Sequence, residues 1–210
     1  MKKAIVLSIV ALAVMGINAQ TRLNADQQKQ IIEKIDKTAA KMKAMQCDFS
    51  QEKSMKLLSK KMISAGVMYF KHPDKLRWQY TTPYDYTFIM NGDKVQLKST
   101  KSTQNINVQN NKMFKQITNI ILNTVTGGNL KSNADFTVEL YQDGKSYFAR
   151  LYPKKKELKQ IYKQIEIHFN PELTMVSSVK MEEKTGDVTT VTLKNVKTNI
   201  AIDETKFDAR

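Results

Sequence analysis

Apolar residues fall on every second position through most of this chain, and that alternation constrains the fold more than any other feature. Met62, Gly66, Met68 and Phe70 share one face of a strand; Leu76, Trp78 and Tyr80 share a face of the next. Tyr84, Tyr86, Phe88 and Met90 form a third such face, followed by Val95 with Leu97 and then Ile106. Further on the pattern returns in Phe136, Val138 and Leu140, in Tyr147, Ala149 and Leu151, and in Ile161, Ile165, Ile167 and Phe169. Leu173, Met175, Val179 and Met181 continue it, and Val191 and Leu193 close it. A period of two puts one side of each strand against apolar surroundings and the other against water. Asn91-Gly92, Asp143-Gly144, Asn170-Pro171 and Thr185-Gly186-Asp187 are turn signals between these runs. Consecutive strands joined by tight turns make an antiparallel meander.

The expected class is therefore mainly β with helices (α+β), built on one antiparallel sheet of about nine to eleven strands. A sheet that long curls, and its apolar face needs a cover. Two stretches with helical spacing supply one. Asn24, with Gln27 three residues later, reads as a helix start. Ile31, Ile32, Ile35, Ala39, Met42 and Met45 then form one stripe, predicting a helix to about Met45. From Asn111 to about Thr124, Met113, Phe114, Ile117, Ile120 and Ile121 form a second stripe, which Gly127-Gly128 stops. The architecture this predicts is an open, curled antiparallel β-barrel with helices over its apolar concave face. Beneath the helices lies either a packed core or a cavity, and periodicity does not separate the two.

The first nineteen residues stand apart. Met1-Lys2-Lys3 is basic, Ala4 to Met15 is an apolar run, and Gly16-Ile17-Asn18-Ala19 ends it with small residues. That is the pattern of a secretory signal peptide, too short for a bilayer span. It predicts cleavage after Ala19 and a single exported domain over residues 20–210. Cys47, the one cysteine, has no partner for an internal disulfide and reads as a small buried side chain. The formal charge of +14 favours anionic membrane surfaces or acidic partners. The segment Lys154, Lys155, Lys156, Lys159 and Lys163 concentrates that charge. An export signal argues against nucleic acid as the target.

The signatures of catalysis are absent from the sequence. His72 and His168 lie far apart and match no metal spacing. No Gly-x-Ser-x-Gly elbow or glycine-rich phosphate loop occurs. Glu182 and Glu183 point to opposite faces of one strand and cannot serve one bond. His168 falls on the polar face of its strand and reads as exposed. No enzyme activity, metal or cofactor is expected.

The stretch "FKHPDKLRWQYTTPYDY", Phe70 to Tyr86, interleaves basic and aromatic residues, which some sheets use to stack on single-stranded nucleic acid. Here the aromatics share strand faces with Met68, Leu76 and Met90, so the surface is continuous and apolar. Methionine suits surfaces that fit variable apolar guests. A curved sheet carrying Met68, Trp78, Phe88, Met90 and Met175 would fit acyl chains, whereas filled core is the alternative for each residue.

In order along the chain, "DFSQEK" (Asp48 to Lys53), "GVMYFKHPDKLRWQYTTPY", "FIMNGDKV" and the closing "VKMEEKTGDVTTVTLKNVKTNIAIDETKF" resemble the periplasmic outer-membrane lipoprotein carrier family, the LolA-like proteins. The resemblance implies an open β-barrel lidded by helices over an apolar cavity. It implies a periplasmic carrier that takes acylated lipoproteins from an inner-membrane lipoprotein-releasing ABC transporter, shields their acyl chains and hands them to an outer-membrane acceptor. Neither covalent chemistry nor a cofactor is implied, and a monomer is expected. Met68, Phe70, Leu76, Trp78, Tyr80, Tyr86, Phe88, Met90 and Met175 would line the acyl-chain cavity. Met113, Phe114, Ile117, Ile120 and Ile121 would form the lid. His72-Pro73 stands where the family typically has arginine before proline, a residue implicated in holding the lid, so His72 and Pro73 become the candidate gate. A related lipid- or glycolipid-binding transport or envelope-stress-sensing protein of the same fold is the alternative, and a basic polysaccharide-binding envelope protein is a third.

Overall fold

The computed structural model describes residues 20–107, 122, 126, 130, 131 and 133–208. The expected signal segment, residues 1–19, and the five expected lid residues lie outside the described residues.

Among the described residues twelve strands form one sheet. In chain order they are β1 (Thr21–Arg22), β2 (Ala44–Met55), β3 (Lys60–Lys71), β4 (Lys75–Thr82), β5 (Tyr86–Asn91) and β6 (Lys94–Ser99). There follow β7 (Thr103–Asn107), β8 (Phe136–Asp143), β9 (Ser146–Pro153), β10 (Tyr162–Phe169), β11 (Val176–Glu183) and β12 (Val188–Thr198). Their spatial order is β1-β8-β9-β10-β11-β12-β2-β3-β4-β5-β6-β7, every pairing antiparallel. The sheet is open, with β1 and β7 at its edges. The meander read from the alternation is what forms. The count rises to twelve because Thr21–Arg22 adds a short edge strand to β8.

Helix α1 (Ala25–Ala39) starts as predicted. The Asn24 side chain accepts from the Gln27 N–H at 2.9 Å, and the Gln27 side chain accepts from the Asn24 N–H at 3.1 Å. This reciprocal box satisfies two of the donors every helix start leaves open. The helix ends at Ala39, not near Met45. Met42 and Met45 continue its spacing by coincidence. From Ala44 the chain instead pairs with β3 on one side and β12 on the other, and ladders on both sides outweigh helical propensity. A short helix α2 (Lys156–Ile161) takes up the lysine-rich segment between β9 and β10.

Inward-facing residues form two clusters on the one apolar face. The first joins β8 to β11: Phe136, Leu140, Leu151, Ile165, Ile167 and their neighbours, with Ile35 of α1 packed onto them and Ile31 and Ile32 alongside. Gln28 seats the helix, its side chain donating to Leu23 O at 2.8 Å and accepting from the Leu140 N–H at 3.2 Å. This half is a buried core. The second cluster belongs to β2–β7, and Met181 and Leu193 pack against both.

Candidate functional site

The site is built on the β2–β7 half, where the register lays inward side chains in rows across the strands. Met45, Phe70, Leu76, Met90 and Val95 lie side by side on five successive strands. Cys47, Met68, Trp78, Phe88 and Leu97 form the next row, and Phe49, Gly66, Tyr80 and Tyr86 the third. The rows differ in depth. Phe70, Leu76, Met68 and Met90 are buried, whereas Trp78, Tyr80, Tyr86 and Phe88 are only half-buried. Eight of the nine sequence-predicted lining residues thus sit on one face, with a closed end at Phe70 and Leu76 and an aromatic rim at Tyr80 and Tyr86.

The ninth does not. Met175 lies in the turn between β10 and β11, where its N–H donates to the Asn170 side chain at 3.0 Å. The strand begins one residue later, and Val176 takes the inward place. A register irregularity between His168 and Phe169 shifts the phase. Alternation counted through a turn carries no information about the strand after it.

Gly66 explains how the aromatic rim packs. A Cβ there would lie 1.9 Å from the Gln79 carbonyl oxygen and 2.8 Å from Phe49 Cζ. Without one, the Phe49 ring lies over the glycine. It meets Trp78 at 4.4 Å between centroids and Tyr80 edge-on at 5.1 Å. The Tyr80 hydroxyl donates to Gln51 Oε1 at 2.9 Å, and burial pushes its pKa above the ordinary tyrosine value. The Trp78 indole N–H is buried and makes no well-formed hydrogen bond among the described residues, although it lies close enough to the Tyr80 hydroxyl to oppose the rise of that group's pKa. Such a donor is costly in an apolar setting and marks a place where a guest's oxygen could be accepted.

Nothing among these groups is suited to covalent chemistry. Burial, then the charge of Asp48, pushes the Cys47 thiol up to about 12, so it stays protonated and packs as an apolar side chain. Among the described residues no cluster of metal-ligating side chains occurs, and no helix is long and apolar enough to cross a membrane.

His72 and Pro73 sit in the β3–β4 turn, beyond the closed end of the face, and both are exposed. The His72 ring has no hydrogen-bond partner among the described residues, while the His72 backbone N–H donates to Lys43 O at 2.8 Å. The charges beside this turn hold the C-terminal segment. Glu204 bridges Lys71 and Lys75, and Arg77 Nη1 donates to Lys206 O at 3.3 Å. Phe207 is thereby buried over the outer face of β4 and β5, where Asn91 Nδ2 donates to its carbonyl at 3.3 Å.

The other half carries a second feature that periodicity missed. His168, read as exposed, stacks on Phe148 at 4.9 Å and lies 3.5 Å from Glu166. Glu166 also binds Arg150 at 2.7 Å. His168 and Arg150 hold its carboxyl down at about 2 against its burial. The lysine segment is likewise less free than its sequence suggests. Lys155 pairs with Asp135, Lys163 with Glu182, and Lys154 donates to Asn133 O.

Leu122, within the span predicted for the second helix but not part of its stripe, and Thr126, just past its predicted end, are described. Both are helical, and Leu122 packs against the β2–β7 cluster.

The model of the family "Outer membrane lipoprotein carrier protein LolA" matches residues 40–210. An outer-membrane lipoprotein carrier protein of Francisella tularensis is 28% identical over 208 residues, covering 99% of this chain and 92% of that protein. One from Methylococcus capsulatus is 25% identical over 167 residues, covering 79% of this chain and 76% of the relative. Among solved structures, MucB in the Pseudomonas aeruginosa MucA/MucB complex superposes with a TM-score of 0.52 at 10% identity, over 88% of this chain and 61% of that one. An uncharacterized conserved protein of Thermus thermophilus gives 0.52 at 7% identity, over 86% and 92%. These two likenesses concern the fold.

Proposed function

The chain belongs to the LolA outer-membrane lipoprotein carrier family, and from that premise we propose that it carries lipoproteins across the periplasm with their acyl chains held on the β2–β7 face. The observation that carries this reading is the graded apolar face itself, closed at Phe70 and Leu76 and half-exposed at Trp78, Tyr80, Tyr86 and Phe88. Withdrawing an acyl chain from water gains about 0.8 kcal/mol per methylene, so about ten methylenes gain on the order of 8 kcal/mol with no polar recognition. Methionines at 45, 68 and 90 let the wall adapt to chains of different length.

In this reading the cargo comes from an inner-membrane lipoprotein-releasing ABC transporter, which supplies the energy, and goes to an outer-membrane acceptor. The protein acts as a monomer, without covalent chemistry. Met113, Phe114, Ile117, Ile120 and Ile121 serve as the lid, a role supported by the contact of helical Leu122 with the same face. His72-Pro73, at the closed end of the face, serves as the gate by holding the lid there while cargo enters at the rim. The buried Trp78 N–H, without a well-formed hydrogen bond among the described residues, donates to an ester or amide oxygen of the acylated residue.

Native mass spectrometry of the purified protein, with and without a diacylated lipopeptide, tests the reading. A one-to-one complex that displaces a bound hydrophobic dye is expected. A folded protein that binds neither dye nor lipopeptide overturns it.

A further inference from the structure

Leu57 and Leu58 occupy the turn between β2 and β3, where turn chemistry favours glycine, asparagine, aspartate or serine. They are 89% and 68% exposed, and Ile63 beside them on β3 is 65% exposed. Met62, on the opposite face of the same strand, is 37% exposed. The tip is therefore apolar on both faces. It also projects. β4 pairs with β3 only as far as Ala65, opposite Thr82, so Lys60 to Ser64 have β2 on one side and, among the described residues, no strand on the other.

Lysines surround these side chains. Lys61 pairs with Glu52 at 2.9 Å and Lys53 with Glu183 at 3.0 Å. Lys56, Lys60 and Lys184, in the neighbouring β11–β12 turn, have no ion-pair partner among the described residues. Lysines alone would be explained as guards of an exposed strand edge. Adjacent exposed leucines have the opposite effect at an edge and need another reason. Leucines at a protruding tip, ringed by unpaired lysines, match the chemistry of an anionic bilayer: acyl chains below, phosphates above.

The tip lies at the open end of the candidate site. The inward rows run from buried Phe70 and Met68, through half-buried Tyr80 opposite Gly66, to Met62 next to the turn. We propose that the β2–β3 tip is a membrane-docking element, inserting Leu57 and Leu58 into an anionic lipid surface while Lys56, Lys60 and Lys184 bind its phosphates. Docking there turns the aromatic rim towards the bilayer. The proposal deepens the carrier reading and rests on it for purpose only, because the tip needs no cargo to bind.

Large unilamellar vesicles test it by co-sedimentation with the full mature chain. The probes are phosphatidylethanolamine with phosphatidylglycerol, and phosphatidylcholine alone. The wild type is expected on the anionic vesicles and only weakly on the neutral ones. Leu57→Ser with Leu58→Ser removes about tenfold per side chain, about a hundredfold together. Lys56→Gln with Lys60→Gln removes about fivefold per charge, on anionic vesicles only. All four side chains lie outside the buried core, so both variants keep the wild-type urea midpoint and the wild-type affinity for soluble lipopeptide. Wild-type protein that stays in solution overturns the proposal, as does a leucine double variant that sediments like wild type. So does a tip that captures a protein partner through its leucines without binding vesicles. Lipopeptide affinity on the same samples reports the carrier reading separately, since either result can fail while the other holds.

Discussion

Gly66→Ala adds a single methyl group and is expected to be among the most damaging changes in the molecule. Its Cβ would lie 1.9 Å from the Gln79 carbonyl oxygen and 2.8 Å from the Phe49 ring. The first contact is with backbone, so no rotamer relieves it, and β3 and β4 must separate or slide. Over-packing a core typically costs about 1–3 kcal/mol; displacement of Phe49 from Trp78 and Tyr80 adds about 0.5–1.5 kcal/mol per lost ring contact. The expected loss is therefore about 2–6 kcal/mol, a large share of an ordinary domain's stability. Gly144→Ala is the control. It has φ +58 and no atom within 4 Å of the added Cβ, so it bears backbone strain alone, about 1–2 kcal/mol. Urea titration followed by Trp78 fluorescence reads both, since Trp78 is the only tryptophan. Gly66→Ala is expected to lower the midpoint well below that of Gly144→Ala and to weaken lipopeptide binding by the surviving fold. A Gly66→Ala protein with the wild-type midpoint and affinity would refute the packing described for the rim.

Trp78→Phe keeps an aromatic ring and removes the buried indole N–H. Lipopeptide affinity is expected to fall about five- to tenfold with little change in the urea midpoint, and unchanged affinity in a calorimetric titration would remove the indole from cargo recognition. Glu166 is held down at about 2 from an ordinary value of 4.5. Its contribution, on the order of 3 kcal/mol, is present above about pH 4.5 and lost as pH falls towards 2. Glu166→Gln should therefore lower the urea midpoint at pH 7 and match wild type near pH 2; an equal deficit at both values contradicts the ionic account. His72→Arg puts the family's usual residue before Pro73 and is expected to slow lipopeptide uptake in stopped-flow dye displacement, while equal rates would take the gate away from this turn.

The inward rows were legible because strands β3 to β6 keep strict alternation between tight turns. Pairing Phe70 with Leu76 and Trp78 with Phe88 follows from counting outward from those turns. Legibility failed where a competing term decided. Met42 and Met45 carry helical spacing, yet ladders to β3 and β12 take Met45 into a strand. Met175 follows the Asn170 turn, where the Asn170 side-chain oxygen accepts from the Thr174 and Met175 N–H groups and the phase is reset. The fastening of the C-terminal segment could not be read at all, because Glu204 meets Lys71 and Lys75 from more than a hundred residues away in sequence. His168 occupies a polar-face position, but its neighbour across the ladder is Phe148, and that pairing gives it a partially buried stack. The membrane-facing character of Leu57 and Leu58 lay between two alternating runs, where a period-two reading has nothing to say.

Site-resolved photo-crosslinking to a diacylated lipopeptide tests the central claim most directly. A photoreactive phenylalanine is placed at inward Phe88 of β5 or Leu97 of β6, and at outward Gln79 of β4 or Lys98 of β6. Adducts on the acyl chains are expected at Phe88 and Leu97, none at Gln79 and Lys98, and none with the unacylated peptide. Equal adducts on both faces, or adducts that do not need the acyl chains, would contradict an acyl-chain site on the inward β2–β7 face.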